Sequence, residues 1–261
     1  MSIAMGFGMK VRVAARLLLL QARWDPARRQ GVGFSFAVDP WLAACWSAEP
    51  DQLDAARRRH LEYFNTHPVA AGLVAGVVCR YEAAASGARG AEREALIQKI
   101  GGLKSVLGAS LAAPCDSFFW GALRPASALI GLVAAQSLAQ AGLPHPLALG
   151  ASLALVVYNV PALAGRWLGM SRGFERGEAA AVELAALPVQ SWISGLRRLA
   201  AVGAVASFVL GAATLEGAAL AAAAAVFVLG FVLSLRGVSP LSQLGFAGLG
   251  GAICSIARLR P

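Results

Sequence analysis

The stretch ASALIGLVAAQSLAQAGLPHPLALGASLALVVYNVPALAG, residues 126–165, contains no Asp, Glu, Lys or Arg and is interrupted only by Pro144-His145-Pro146. Each arm is near the roughly 20 apolar residues a helix needs to cross a bilayer core. Arg124 precedes the first arm and Arg166 follows the second. Positive flanks mark the cytoplasmic side, so the pattern predicts a transmembrane hairpin with both arginine ends inside and the proline turn outside.

Working outward, the same logic repeats at residues 199–235, where Glu216 beside Gly217 is the sole charge and Arg197, Arg198 and Arg236 flank the run. It predicts a second hairpin with Glu216 at its outer turn. Residues 166–198 carry Arg172, Glu175, Arg176, Glu178 and Glu183 and read as a cytoplasmic amphipathic connector. The glycine-rich run 238–257 is long enough for one more crossing, which places Arg258 and Arg260 outside, against the charge rule.

Composition agrees with a lipid environment. Of 261 residues, 57% are hydrophobic and 14% charged, where soluble domains are near a quarter charged. Abundant Ala and Gly favour close helix packing in lipid, and the polar/apolar alternation of a lipid-spanning barrel is missing. The net charge of +9 does not indicate nucleic acid, because the arginines punctuate apolar runs instead of forming a basic face with stacking aromatics. Cys45, Cys79, Cys115 and Cys254 have no paired spacing, and the three histidines do not cluster with them, so neither a metal site nor a disulfide framework is expected. The apolar run 17–20 is too short for a signal-peptide core.

The first 116 residues are different, holding 14 of the 23 Lys/Arg and 10 of the 14 Asp/Glu. Residues 9–23 predict a helix lying in the cytoplasmic interface, with Arg12, Arg16 and Arg23 bordering a leucine face. A second helix is expected from Asp51 to about Asn65. The apolar segment 69–78 is short for a crossing and reads as re-entrant or buried in protein. Residues 83–99 read as a solvated loop leading into a helix, and 100–114 as a segment that dips into the bilayer. The expectation is an all-α polytopic membrane protein: residues 1–115 an amphipathic and re-entrant region, residues 116–261 a region of transmembrane hairpins.

Three blocks concentrate polar chemistry. In HLEYFNTHP (60–68), Pro68 disfavours helical geometry at His67, so the helix should end near Thr66 and leave His67 in accessible extended backbone. Broken helix ends of this kind put hydrogen-bonding groups at membrane depth in transporters. An ordinary reading also fits: a solvated Glu62, Asn65 and Thr66 as caps, and His67 at the helix dipole. In PCDSFFWGALRP (114–125), Asp116 and Trp120 share a helix face, a carboxylate beside an aromatic surface as in a sugar subsite. The alternative makes Asp116 a cap and Trp120 and Arg124 interfacial anchors. In LQARWDPARRQGVG (20–33), Gln21, Trp24, Asp25, Arg28 and Gln30 fit either a subunit interface or an amphipathic turn at the headgroups. No nucleotide-binding glycine loop, Ser/His/Asp set or phosphoryl-acceptor histidine is evident.

Together with RGVSP (236–240), the order and spacing of LQARWDPARRQGVGF (20–34), RHLEYFNTHP (59–68) and DSFFWGALRP (116–125) resemble the signature blocks of the IID component of the mannose/fructose/sorbose phosphotransferase family. The resemblance implies a membrane subunit that pairs with IIC to bind and translocate a hexose-class sugar while cytoplasmic IIA and IIB proteins deliver phosphate. It implies a place in the bacterial cytoplasmic membrane, several spans, and no metal or organic cofactor. The chain would be part of a phosphotransferase complex without itself transferring the phosphoryl group. By position, Glu62, Asn65, Thr66, His67, Asp116, Ser117 and Trp120 become candidate substrate or gating contacts, and Gln21, Trp24, Arg28 and Gln30 a partner interface. Ala113-Pro114-Cys115 stands where the family has a glycine-rich step, which keeps a second reading open: a structural or regulatory subunit derived from IID that does not transport.

Overall fold

The computed structural model describes residues 4–213 and 217–235, and among them the regular structure is helical. The expected Glu216 turn, the 236–240 block, Cys254 and the 238–257 crossing lie outside the described residues. The helices are α1 (Phe7–Leu17), α2 (Gly31–Cys45), α3 (Pro50–Leu61), α4 (Ala70–Gly87), α5 (Gly90–Cys115), α6 (Arg124–Gln140), α7 (Pro146–Arg176), α8 (Ala179–Ala185), α9 (Val189–Ala212) and α10 (Gly217–Leu235), with a π-helical stretch Asp116–Leu123 joining α5 to α6. Among the described residues, three helical stretches are long and apolar enough to cross a membrane: Gly90–Gln140, Pro146–Arg176 and Val189–Ala212.

The described residues pack as two units: those up to 128 with 153–200, and 129–152 with those from 201 to 235. In the first unit, α1 to α5 and α7 enclose a core that includes Leu17, Phe34, Trp41, Trp46, Val74, Val77 and Met170. α4 and α7 cross in close contact at glycines. A Cβ at Gly76 would sit 2.8 Å from the Phe174 amide nitrogen, and one at Gly173 would sit 3.0 Å from that of Val77. Gly72 and Gly76, and Gly169 and Gly173, stand four apart, the small-residue spacing that lets membrane helices touch along their backbones. Arg80 closes the end of α7, donating from Nη1 to the carbonyls of Phe174 at 3.1 Å and Glu175 at 2.9 Å.

The second unit contains the predicted hairpin turn. α6 ends at Gln140 and the chain turns at Gly142, whose φ of 71° suits a residue without a Cβ, and the Leu143 amide bonds back to the Leu138 carbonyl at 3.0 Å. Within this unit, Gln136 donates to the Ser207 carbonyl at 3.1 Å and Phe208 stacks on Phe227 at 4.5 Å.

Several sequence expectations change. The helix α1 stops at Leu17, short of residue 23. Residues 31–45 form the unpredicted α2, with Pro40 inside it. Pro40 has no N–H to offer the Phe36 carbonyl, and Arg16 Nη1 takes that carbonyl instead, at 3.0 Å. The segment 69–78 is the cap and first half of the eighteen-residue α4 and is buried in protein. The expected loop at 83–99 is helix on both sides of a short break at residues 88 and 89. Residues 100–114 lie within a helix that runs unbroken past 115 and 116, where the sequence reading begins the transmembrane region. Asp116 is consequently not an N-cap: its φ and ψ of −59° and −45° are helical. Pro125 lacks an N–H, and the adjoining turns widen, the Arg124 amide bonding to the Phe119 carbonyl five residues back. The connector 166–198 is mostly helix, because α7 continues to Arg176 and α9 starts at Val189.

Candidate functional site

The site is built around the bend at residues 62–69 between α3 and α4. Pro50 at its first turn and Asp51 at its positive end start α3, and Arg58 and Arg59 complement its last turn. The helix stops at Leu61, earlier than the expected Thr66. Pro68 constrains only His67 directly. The residues between are pulled out of the helix by tertiary partners.

The first partner is the loop before α2. The Gln30 amide donates to the Phe64 carbonyl at 2.8 Å, and the Phe64 amide to the Arg28 carbonyl at 3.2 Å. The Gln30 side chain then closes on Thr66, its Nε2 donating to the Thr66 carbonyl at 2.8 Å and its Oε1 accepting the Thr66 amide at 3.0 Å. The second partner is Lys104 on α5, whose ammonium donates to the carbonyls of Arg59 (3.2 Å), His60 (3.2 Å) and Glu62 (3.3 Å). It thereby satisfies carbonyls that a helix end leaves unpaired. Gly31 allows the approach: a Cβ there would overlap the Glu62 carbonyl oxygen and lie 2.8 Å from that of Leu61.

Beneath the bend lies a buried polar network. Glu82, fully buried, accepts from Arg59 Nε (2.8 Å) and Nη2 (2.9 Å), from Trp46 Nε1 (2.8 Å) and from His60 Nε2 (2.8 Å). Burial alone would raise its pKa, yet the hydrogen bonds from His60 and Arg59 hold the carboxyl down to about 2. Burial pushes the His60 imidazole below its ordinary value, so a neutral His60 donates to an ionised Glu82. The contribution of the ionised Glu82 is complete above about pH 4.5 and is lost as pH falls toward about 2.

At the far end of the bend, His67 is 2% exposed, stacked on Phe119 at 5.0 Å and met edge-on by Trp120 at 4.8 Å. Its Nδ1 accepts the Val69 amide at 3.2 Å, which places the ring hydrogen on Nε2. That Nε2 and the Thr66 hydroxyl are buried without a hydrogen-bond partner. Burial, and then the charge of Arg166, pushes the His67 pKa down to about 4. The unfolded chain therefore binds the proton first, and stability should fall as pH is lowered from about 6.5 toward about 4, an effect that the His67→Ala protein should lack in a melting-temperature series against pH. Arg166 Nε donates to the Pro68 carbonyl at 3.1 Å, fixing α7 to the bend.

Of the predicted contacts, Thr66, His67 and Trp120 come together. Glu62 and Asn65 lie on the same bend with exposed side chains. Asp116 and Ser117 are half-buried one turn before Trp120, and no hydrogen bond or ion pair among the described residues joins them to the bend. Gln21, Trp24 and Arg28 are exposed, Trp24 at 47% with the Arg29 guanidinium 4.9 Å above its ring. Gln30 is 2% exposed, its amide occupied by Thr66. Sequence reading missed Glu82, Lys104, Phe119 and Arg166 as parts of the site. Single charges bordering apolar runs, such as Glu82 after 69–78, were the available signal.

A cavity of about 450 Å³ lies behind Phe119, lined by Leu111, Pro114, Phe118, Leu184 and Trp192 among others. Its apolar wall suits hydrocarbon better than the hydroxyls of a sugar. Among the described residues no cluster of His, Cys, Asp or Glu can hold a metal ion.

Residues 9–215 match the family described as PTS system mannose/fructose/sorbose family IID component. The chain is 33% identical over 165 residues to the mannose-specific EIID component of Escherichia coli K12, covering 63% of this chain and 54% of that protein. It is 34% identical over 167 residues to the sorbose-specific EIID component of Klebsiella pneumoniae, covering 64% and 56%. The chain thus spans about half the length of the curated relatives it matches. Among solved structures it resembles a chain of the mannose transporter ManYZ in complex with microcin E492, with a TM-score of 0.58 and 27% identity over 78% of this chain and 70% of that one. A second membrane protein shares the fold, with a TM-score of 0.68 and 23% identity over 97% and 98%. The three signature blocks within the matched residues, the helical architecture and a family match across most of the sequence lead to one conclusion: the chain belongs to the IID component family of the mannose/fructose/sorbose phosphotransferase systems.

Proposed function

We propose that the chain is the IID subunit of a sugar permease of the bacterial cytoplasmic membrane, crossing it several times. With a IIC subunit it forms the path for a hexose-class sugar, which the soluble IIA and IIB proteins phosphorylate on entry. The observation that carries this reading is the bend, where the Thr66 hydroxyl and the His67 Nε2–H are buried without partners beside two aromatic rings. An unsatisfied buried donor costs about 1–3 kcal/mol, so holding two in one place is reasonable only if a ligand satisfies them at some stage of the cycle. Sugar hydroxyls both donate and accept, and the aromatic ring of Trp120 matches the apolar face of a pyranose.

In this state both polar atoms are enclosed. The half-exposed Trp120 is the ring that must yield for a sugar to reach His67. Asn65 and Glu62 offer exposed polar groups beside the entry, and Asp116 and Ser117 follow along the same face of the long helix. Gln21, Trp24 and Arg28 offer the surface for IIC, with exposed Leu18 and Leu19 adjoining them in sequence. Phe119 and Trp120 stand in the π-helical stretch, an irregularity frequent at functional sites.

Replacing Asn65 or Asp116 by Ala should abolish uptake of radiolabelled sugar by cells that also express IIC, IIA and IIB, while IIC still co-purifies. Undiminished uptake by both variants would remove them from the site. Failure of the unaltered chain to support uptake of any hexose or amino sugar, with IIC still bound, would favour the structural or regulatory subunit.

A further inference from the structure

We infer that Gln30 is a positioning residue that fixes the sugar bend to the partner-facing loop, so that occupancy of the one sets the affinity of the other. The inference rests on the site reading above. Four hydrogen bonds carry it: Gln30 N to Phe64 O (2.8 Å), Phe64 N to Arg28 O (3.2 Å), Gln30 Nε2 to Thr66 O (2.8 Å) and Thr66 N to Gln30 Oε1 (3.0 Å). They make the loop around 28–30 and the stretch 64–66 a short two-stranded ladder, closed by a side chain that imitates a peptide group. Within the same loop, Asp25 Oδ1 accepts the amides of Ala27 (3.0 Å) and Arg28 (2.8 Å), and the Arg29 amide returns to the Asp25 carbonyl at 2.8 Å. The loop is therefore internally rigid, with Trp24 and Arg28 exposed on its outside.

Thr66 and His67 are adjacent, so a displacement of the loop by docking at Trp24 or Arg28 moves both site donors together. The physical consequence is linkage: whatever a partner does to the loop alters sugar affinity, and bound sugar alters partner affinity by the same factor. Gln30 touches no substrate. It acts through the Thr66 backbone.

The test measures uptake in cells expressing the full complex, with KM and maximal rate read separately and IIC co-purification as the control for folding. Gln30→Met keeps the volume and removes both side-chain bonds. It should raise KM about tenfold with the maximal rate and co-purified IIC unchanged. Gln30→Glu is the conservative variant. A neutral carboxyl donates and accepts as the amide does and burial favours it, so in vesicles equilibrated on both sides its KM should move toward the unaltered value as pH is lowered. His67→Ala is the reference for the site itself. An unchanged KM in Gln30→Met beside a raised KM in His67→Ala overturns the positioning role alone. Unchanged KM in both overturns the site reading and this inference with it. A fall in maximal rate and in recovered complex at constant KM makes Gln30 a brace of the fold and also overturns the inference.

Discussion

Removing the carboxylate of Glu82, as in Glu82→Ala, should destabilise the protein by about 3–5 kcal/mol, the usual consequence of stripping one partner from a buried charge network. The substitution leaves the Trp46 and His60 N–H groups in the core without an acceptor and leaves Arg59, only 14% exposed, without its counter-ion. Arg59 and His60 form the last turn of α3, whose end Lys104 also grips, so the loss reaches the bend directly. A thermal melt in detergent should show the midpoint falling by about 10 °C. Glu82→Gln keeps one acceptor oxygen and should fall between. An unchanged midpoint for Glu82→Ala would mean that the network contributes nothing net.

The second large effect is at the glycine crossing of α4 and α7. A Cβ at Gly76 would stand 2.8 Å from the Phe174 nitrogen and 2.9 Å from the Met170 carbonyl carbon. These are backbone atoms on a packed helix, which cannot turn aside as a side chain can. Gly76→Leu must push the helices apart, and overpacking of even a methylene or two costs about 1–3 kcal/mol. The crossing extends over two glycines from each helix, and α7 carries Arg166 against the Pro68 carbonyl, so separation also loosens the bend. The expected result is loss of detergent-stable protein and of sugar uptake. Gly102 provides the contrast, since nothing lies within 4 Å of a Cβ there. Gly102→Ala should be neutral or stabilise by up to about 1 kcal/mol through helix propensity. Equal recovery of the Gly76→Leu and Gly102→Ala proteins would contradict the close crossing.

The parts legible in the sequence were those set by local rules. The uncharged arms around Pro144-His145-Pro146 became the ends of α6 and α7, with Gly142 closing the first, because length and polarity alone decide such a hairpin. Asp51 marked the start of α3 to within a residue, and Pro68 marked a break. What the sequence hid depends on partners far along the chain. Glu92, Arg93 and Glu94 looked like a loop, yet they lie on the first turns of α5, where Arg93 pairs with Glu49 at 2.6 Å across 44 residues. Pro114 lies inside α5 and Pro125 at the start of α6, and the widened stretch Asp116–Leu123 carries the helix between them.

The same division holds at the site. HLEYFNTHP was visible as a polar block before an apolar run, since density of polar groups needs no tertiary information. Its braces were not, because Gln30 lies 36 residues from Thr66 and Lys104 lies 44 from His60. Gln30 reads as a surface residue among Trp24, Arg28 and Arg29, and only the fold turns it inward. Helical spacing put Asp116 and Trp120 on one face, but spacing cannot tell which of the two meets the bend. Trp120 does, through His67.

The central claim is that this family member takes sugar across the membrane through the bend at residues 62–69. It is tested most directly by radiolabelled sugar uptake in cells devoid of other mannose-type permeases that express the chain with IIC, IIA and IIB, comparing the unaltered protein with His67→Ala. The account predicts accumulation of phosphorylated sugar with the unaltered chain, and a KM raised about tenfold or more by His67→Ala at equal complex recovery. Uptake with an unchanged KM in His67→Ala would contradict it.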